Sequence, residues 1–206
     1  MATPNKLKIV VFYGSTRTGR LVERVGAFVK KVLVDKGLEP LIFDPEEMNF
    51  EMLKCALHFY PNRDDAPQWL KDADAVIRDA DGFLVVSTEY NSSIPPALSN
   101  MLDHFPPASF RHRPVGILTY AKGYWGGIRA GVVLKPFLSD FGLVTIPANC
   151  PIPTAGEVFD AAGNCKEERI AKRVERLVNE LRWYSAALKS YRSIETLPPP
   201  PMNALA

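Results

Sequence analysis

The stretch Leu7-Lys8-Ile9-Val10-Val11-Phe12-Tyr13-Gly14-Ser15-Thr16-Arg17-Thr18-Gly19-Arg20 decides the fold. Its first half is β-branched and aromatic with almost no polar alternation. That is the form of a strand buried on both faces, and it halts at Gly14. From Leu21 the period changes. Leu21, Val22, Val25, Phe28, Val29, Val32 and Leu33 share one helical face, Glu23, Arg24, Lys30, Lys31 and Asp35 lie largely on the other, and Gly37 supplies a stop. The polar loop therefore joins a strand to a helix N-terminus, where free backbone N–H groups and the helix dipole favour an anion. Hydroxyls at Ser15, Thr16 and Thr18 add donors, and Arg17 and Arg20 add bidentate charge. A phosphate fits this loop. An ordinary capped turn is the plainer alternative, but two arginines exceed what a cap needs.

Outward from that loop the alternation repeats. Pro40 to Phe43 reads as a second strand, Phe83 to Ser87 as a third, Val115 to Tyr120 as a fourth and Leu143 to Ile146 as a fifth. Helices are expected from Pro67 through Ile77, from Ala97 to His104 after Pro96, from Gly126-Gly127 through Phe141, and from Glu167 to Tyr191. Asp44 to Pro67 has no clear period. Strands apolar on both faces, each followed by a helix, are the sequence form of a parallel sheet covered on two sides. The expectation is a single doubly wound α/β domain over residues 1–191. A Pro-rich tail over 192–206 should lack regular structure, because the run Leu197-Pro-Pro-Pro-Pro201 cannot hydrogen-bond as an element.

Composition narrows the function classes. The chain has 206 residues, 47% hydrophobic and 23% charged, with 25 Lys plus Arg against 23 Asp plus Glu. A net charge of +2 is too mild for a nucleic-acid surface, and disorder, collagen and coiled coil are excluded by the same figures. Cys55, Cys150 and Cys165 form no CxxC pair, and His58, His104 and His112 are scattered, so neither a disulfide scaffold nor a metal site is expected. The longest uncharged stretch, Phe141 to Gly156, is interrupted by Pro147, Pro151 and Pro153 and cannot span a membrane as a helix. No signal peptide is recognisable, and the expected location is cytoplasmic.

Three loops at strand C-terminal ends carry the candidate chemistry, since ligands of open α/β sheets bind there. The first is the GSTRTGR loop. It fails the Rossmann GxGxxG pattern at Thr16, and Arg20 and Leu21 replace the Lys and Ser/Thr of a Walker loop, which argues against an NTPase. The second, after strand three, runs from Ser87 to Asp103 and holds Glu89, Tyr90, Asn91 and the Pro95-Pro96 pair, able to stack and hydrogen-bond a flat polar ring. The third, Tyr120 to Ala130, contains Gly123, Gly126 and Gly127, which permit close backbone approach, and Tyr124 and Trp125, large aromatics suited to a pocket or a subunit interface. Trp69 and Trp183 read as packing residues, and His104 as a surface or interface residue.

Over roughly residues 7 to 185 the chain resembles the NADPH-dependent FMN reductases of the flavodoxin-like superfamily, which include FMN-containing quinone and azo-dye reductases. GSTRTGR is similar to the family's GSxRxxS phosphate loop, TEYNSSIPPALSNMLD to its PEYNxSxPxxLKNxxD signature, and GYWGGIRA to its GxxGGxRA segment. Thr88 stands where Pro is usual, Ser99 where Lys is usual, and Arg20 where a small hydroxyl is common. The resemblance implies a flavodoxin-like five-stranded parallel sheet in order 2-1-3-4-5 with helices on both faces.

By the same resemblance Ser15, Arg17, Gly19 and Arg20 hold the FMN phosphate. Glu89, Tyr90 and Asn91 border the isoalloxazine and ribityl, and Gly123, Gly126 and Gly127 approach the pyrimidine side. Tyr124 and Trp125, as large aromatics rather than by the resemblance, are expected to line the substrate pocket. The implied activity is NAD(P)H-dependent FMN oxidoreduction, a ping-pong two-electron hydride transfer from NADPH or NADH to quinone-like, azo or flavin acceptors. No catalytic side chain is needed, because the cofactor carries the chemistry. A homodimer or homotetramer is implied. The alternatives are a flavodoxin-type single-electron carrier and a non-catalytic flavin-binding regulatory module.

Overall fold

The computed structural model describes residues 6–48 and 50–198. Five strands, β1 (Lys8–Tyr13), β2 (Glu39–Phe43), β3 (Gly82–Ser87), β4 (Pro114–Tyr120) and β5 (Val144–Ile152), form one sheet in the order β2-β1-β3-β4-β5. Every pairing is parallel. Among the described residues six α-helices connect or follow them: α1 (Val22–Asp35), α2 (Gln68–Asp79), α3 (Pro96–Asp103), α4 (Ile128–Asp140), α5 (Ala155–Val158) and α6 (Glu168–Arg192). The sheet order and the double winding are those expected.

The two-faced burial of the strands is the reason for two helical layers. Successive residues of β1 point to opposite sides. Ile9, Val11 and Tyr13 pack with the apolar stripes of α1 and α6, whereas Val10 and Phe12 pack with α2, α3 and α4. The second layer is aromatic: Phe12 stacks on Phe83 at 5.8 Å, and Phe110 meets Phe83 at 5.4 Å and Phe141 at 5.1 Å. Offset and edge contacts of this kind add to simple area burial.

Several expectations need correction. β5 runs to Ile152 rather than ending at Ile146, and it contains Pro147 and Pro151. As an edge strand it bonds only β4, so a missing N–H on its outer side costs nothing. A register shift between Val115 and Ile117 absorbs the extra residues. α5 was not expected. The 44–67 segment contains two short 3₁₀ turns, Leu57–Phe59 and Arg63–Asp65. His104 is buried, not superficial: its Nδ1 lies 2.7 Å from the Asn100 carbonyl and its ring meets Phe50 and Trp69. Trp183 is mostly exposed, in edge contact with Tyr184, so it is no core packing residue. Helix α6 reaches Arg192, and the tail beyond residue 198 lies outside the described residues.

Candidate functional site

The order of strands reverses direction between β1 and β3, and the loops after β1, β3 and β4 meet outside their C-terminal ends. They enclose a cleft of about 270 Å³ lined by Ser15, Arg17, Thr18, Gly19, Arg20, Leu21, Thr88, Glu89, Tyr90, Tyr120, Ala121 and Lys122.

The loop after β1 is tied down from below. The Gly14 N–H donates to the Val86 carbonyl at 3.1 Å, and Ser15, almost wholly buried, places its Oγ 2.9 Å from the Tyr90 Oη. The loop turns through an Arg20 N–H to Arg17 carbonyl bond of 3.0 Å, with Gly19 at φ +68°. Only glycine, or at some cost asparagine, holds that conformation readily. Helix α1 then starts at Leu21 without a side-chain cap. Its first N–H groups and dipole thus face the cleft with no protein anion capping them from the N-cap position.

The two arginines of this loop take different parts. Arg17 lies over the Tyr90 ring, with its Cζ 3.9 Å from the centroid, a cation–π contact that leaves the guanidinium edge free. Arg20, expected on the phosphate, is turned inward instead. Its fork bonds Asp44 at 2.5 and 2.7 Å and the Ser15 carbonyl at 2.8 Å, and its Nε lies 3.4 Å from Glu23. Burial alone would lower its pKa, but the Asp44 bond and charge, helped by Glu23, hold it above the ordinary value. The charge of Arg20 is therefore neutralised by Asp44, and its role is to clamp the loop to the end of β2.

After β3, Tyr90 and Ser93 exchange both backbone hydrogen bonds, at 3.1 and 2.9 Å, around Asn91 and Ser92 at φ +49° and +64°. This two-residue turn with both central φ positive suits asparagine, while serine there is strained. The turn carries Asn91 out of the cleft lining. Glu89, expected beside a ring, caps a helix: its carboxylate accepts the backbone N–H groups of Arg129 at 3.0 Å and Ala130 at 3.3 Å and pairs with the Arg129 Nε at 2.7 Å. The α4 N-terminus is thereby already supplied with an anion.

The glycines after β4 also have internal duties. Gly126 is at φ +60°, and a Cβ there would lie 2.9 Å from Ile152 and Pro153 backbone atoms. Gly127, at φ +76°, would place a Cβ 3.0 Å from Thr119. Both are required by the turn and by close packing on β5 and β4. Gly123 has open space around it. Tyr124 and Trp125 are 88% and 72% exposed and stand outside the lining. Of the expected residues, the structure thus brings together Ser15, Arg17, Gly19, Arg20, Glu89 and Tyr90. Asn91, Gly123, Tyr124, Trp125, Gly126 and Gly127 stay outside the cleft lining.

Thr88, Tyr120 and Lys122 line the cleft although none of them is an expected binding residue. Their signal was position: each follows or ends a central strand. Lys122 adds a second cation with no carboxylate partner among the described residues. Tyr120 is more telling. It is 2% exposed, its Oη has no hydrogen-bond partner among the described residues, and burial raises its pKa, so it remains a neutral hydroxyl. A buried hydroxyl without a partner beside a cationic cleft is able to take up a hydrogen bond from a ligand.

Fold and cleft together define a flavodoxin-like α/β protein whose switch-point site suits a flat ligand bearing a phosphate. The chain matches the family of NADPH-dependent FMN reductases over residues 7–157 and belongs to it. It is 27% identical over 139 residues to a quinone reductase of Escherichia coli, covering 65% of this chain and 70% of that one. It is 36% identical over 61 residues to an NADPH azoreductase of a Bacillus species, covering 30% of this chain and only 34% of that protein's length. Among solved structures, the flavoenzyme NAD(P)H:(acceptor) oxidoreductase FerB of Paracoccus denitrificans superposes with a TM-score of 0.73 over 88% of this chain and 98% of that one. At 21% identity that likeness shows the fold. Family membership makes the chain an NAD(P)H-dependent oxidoreductase with FMN as cofactor. Among the described residues no helix is long and apolar enough to cross a membrane.

Proposed function

We propose that this protein is a cytoplasmic NAD(P)H:acceptor oxidoreductase that binds FMN in the switch-point cleft and reduces quinone-like, azo or flavin acceptors by a ping-pong, two-electron route. The observation that carries the reading is the charge of the cleft. Arg17 and Lys122 lack carboxylate partners among the described residues, they line the cleft together with Leu21 at the uncapped start of α1, and Tyr120, whose hydroxyl is unpartnered, lines it too. These groups fit a ligand with a phosphate at one end and polar ring edges at the other.

In this reading Ser15, Arg17 and the N–H groups of the α1 start hold the phosphate, with Lys122 as a further cation. Arg20 positions that loop through Asp44 rather than touching the ligand, and Glu89 positions α4. Tyr90, fixed by Ser15 and covered by Arg17, walls the ring side. Asn91 and the Gly123 to Gly127 loop border the cleft mouth, where Tyr124 and Trp125 give flat acceptors an apolar surface. FMN, when bound, supplies the two-electron chemistry, so the chain needs no nucleophile or general acid of its own. One cleft mouth admits one flat partner at a time, which makes NAD(P)H and acceptor alternate. Ile128 and Val132, exposed on α4 beside Tyr124 and Trp125, extend the apolar surface and support a homodimer or homotetramer.

Arg17→Ala tests the binding mode. A charge-assisted hydrogen bond is worth about 1.5–3 kcal/mol, so FMN affinity should fall roughly ten- to a hundredfold while that for riboflavin, which lacks the phosphate, is nearly unchanged. Equal losses for both ligands would remove Arg17 from the phosphate. The kinetic order is tested separately: double-reciprocal lines at several acceptor concentrations should be parallel, and intersecting lines would refute the alternation.

A further inference from the structure

At the opposite end of the sheet, where the strands begin, a second cavity of about 360 Å³ opens between the entry to β1, the α2–β3 turn, the entry to β4 and the last turns of α6. Lys6, Lys8, Arg78, Arg113, Lys189 and Arg192 line it, against only two carboxylates, Asp79 and Asp81. Those carboxylates are already engaged. Asp79 pairs with Lys8 at 2.5 Å, and Asp81 accepts the Lys189 ammonium at 2.9 Å and the Lys8 backbone N–H at 3.0 Å. Arg78 pairs outside the cavity with Asp74 at 2.7 Å, a carboxylate it shares with Arg63 at 2.6 Å.

Three cations are left over. Arg113 donates only to carbonyls, those of Ala80 at 2.7 Å, Ser109 at 3.0 Å and Arg78 at 2.5 Å. Arg192 donates to the His112 carbonyl at 3.0 Å. Lys6 makes no hydrogen bond or ion pair among the described residues. Burial, and then the charge of Arg192, push the Arg113 guanidinium down to about 10, and burial lowers Arg192 as well. The C-terminal dipole of α6 offers the equivalent of only about half a negative charge, too little to balance three cations. Like charges gathered in a partly buried cavity without counter-charge are costly unless something anionic joins them.

We propose that this cavity is an anion site for a compact, multiply charged phosphate, either free or as the phosphate end of a nucleotide. The guanidinium forks suit phosphate oxygens, and the exposed Lys6 ammonium, on its long stem, can reach the ligand. Occupancy would tie the entry of β1 to the end of α6, so the site acts on the stability of the C-terminal helix and not on the switch-point cleft.

The test is calorimetric titration with pyrophosphate, and separately with ADP, on FMN-saturated protein at a fixed ionic strength of about 0.15 M. Bound FMN occupies the phosphate seat of the switch-point cleft, and the Lys6 and Arg192 variants distinguish binding in this cavity from ADP binding at the cleft mouth. One binding site is expected, weakened roughly tenfold or more by Lys6→Gln combined with Arg192→Gln. Lys6→Glu, at an exposed position without contacts that folding needs, should weaken it too, and Arg17→Gln should leave it unchanged. Tighter binding of ADP would support the site and assign a nucleotide; equal or tighter binding of pyrophosphate would support it and assign free phosphate. Absence of binding overturns the proposal. So does a loss caused by Arg17→Gln but not by Lys6→Glu.

Discussion

Removing the Asp44 carboxylate should loosen the loop after β1 as well as destabilise the fold. In Asp44→Ala the Arg20 fork loses bonds of 2.5 and 2.7 Å and keeps only the Ser15 carbonyl and a distant Glu23. Both side chains are nearly buried, at 8% and 5% exposure, so solvent cannot replace the lost partner. Breaking a buried ion pair by deleting one member costs about 3–5 kcal/mol, because the other charge stays uncompensated. For a chain of this size each kcal/mol lowers Tm by about 2–4 °C, giving a fall of roughly 6–20 °C. Replacing both partners, Arg20→Leu with Asp44→Leu, removes the stranded charge and should be less harmful than Asp44→Ala alone. Urea unfolding without cofactor measures these terms. FMN titration by fluorescence quenching measures the loop, with affinity expected to fall about tenfold in Asp44→Ala as the Ser15 to Arg20 segment loses its tether. A single-variant loss below about 1 kcal/mol, or a double variant whose loss equals the sum of the singles, would refute the clamp.

Three further outcomes follow from the geometry. Gly126→Asn should destabilise by about 1–3 kcal/mol although asparagine tolerates a positive φ, because its Cβ meets the Ile152–Pro153 backbone; Gly123→Ala, with open space around it, should not change Tm, and an unaffected Gly126→Asn would show that φ alone matters. Tyr120→Phe should leave the cofactor-free protein as stable or up to about 1 kcal/mol more stable while weakening FMN binding several-fold; unchanged affinity would mean the hydroxyl never meets the ligand. Asp74, fully buried, has burial working to raise its pKa, but bonds from Ser109, Arg78 and Arg63 overcome this and hold it below its ordinary value of 3.8. A depressed carboxylate contributes stability above its unfolded pKa and loses it as pH falls through the folded one. Chemical denaturation between pH 5 and about 2 should therefore show a loss below about pH 4 that Asp74→Asn diminishes, and identical slopes in the two proteins would contradict this.

What the sequence determined by itself was what depends on neighbours in the chain. The run from Ile9 to Tyr13 has no polar face, and the spacing from Val22 to Leu33 has one apolar stripe, so strand, helix and the two-sided burial that demands a doubly wound sheet were all legible. The GSTRTGR loop at the junction was legible too, because a strand end and a helix start enclose it whatever surrounds them. The tertiary structure decided which charges in that loop remain free. Arg17 and Arg20 look equivalent in sequence, but Asp44, brought alongside by the pairing of β1 with β2, neutralises one and not the other. Glu89 likewise reads as a ligand residue until α4 brings its bare N–H groups to 3.0 and 3.3 Å. Pro147 and Pro151 look like the end of a strand until β5 proves to be an edge, where a missing donor is tolerated. The Tyr120 hydroxyl carries no sequence signal at all. Its lack of a partner is a property of everything packed around it, and long-range packing of that kind cannot be read from local pattern.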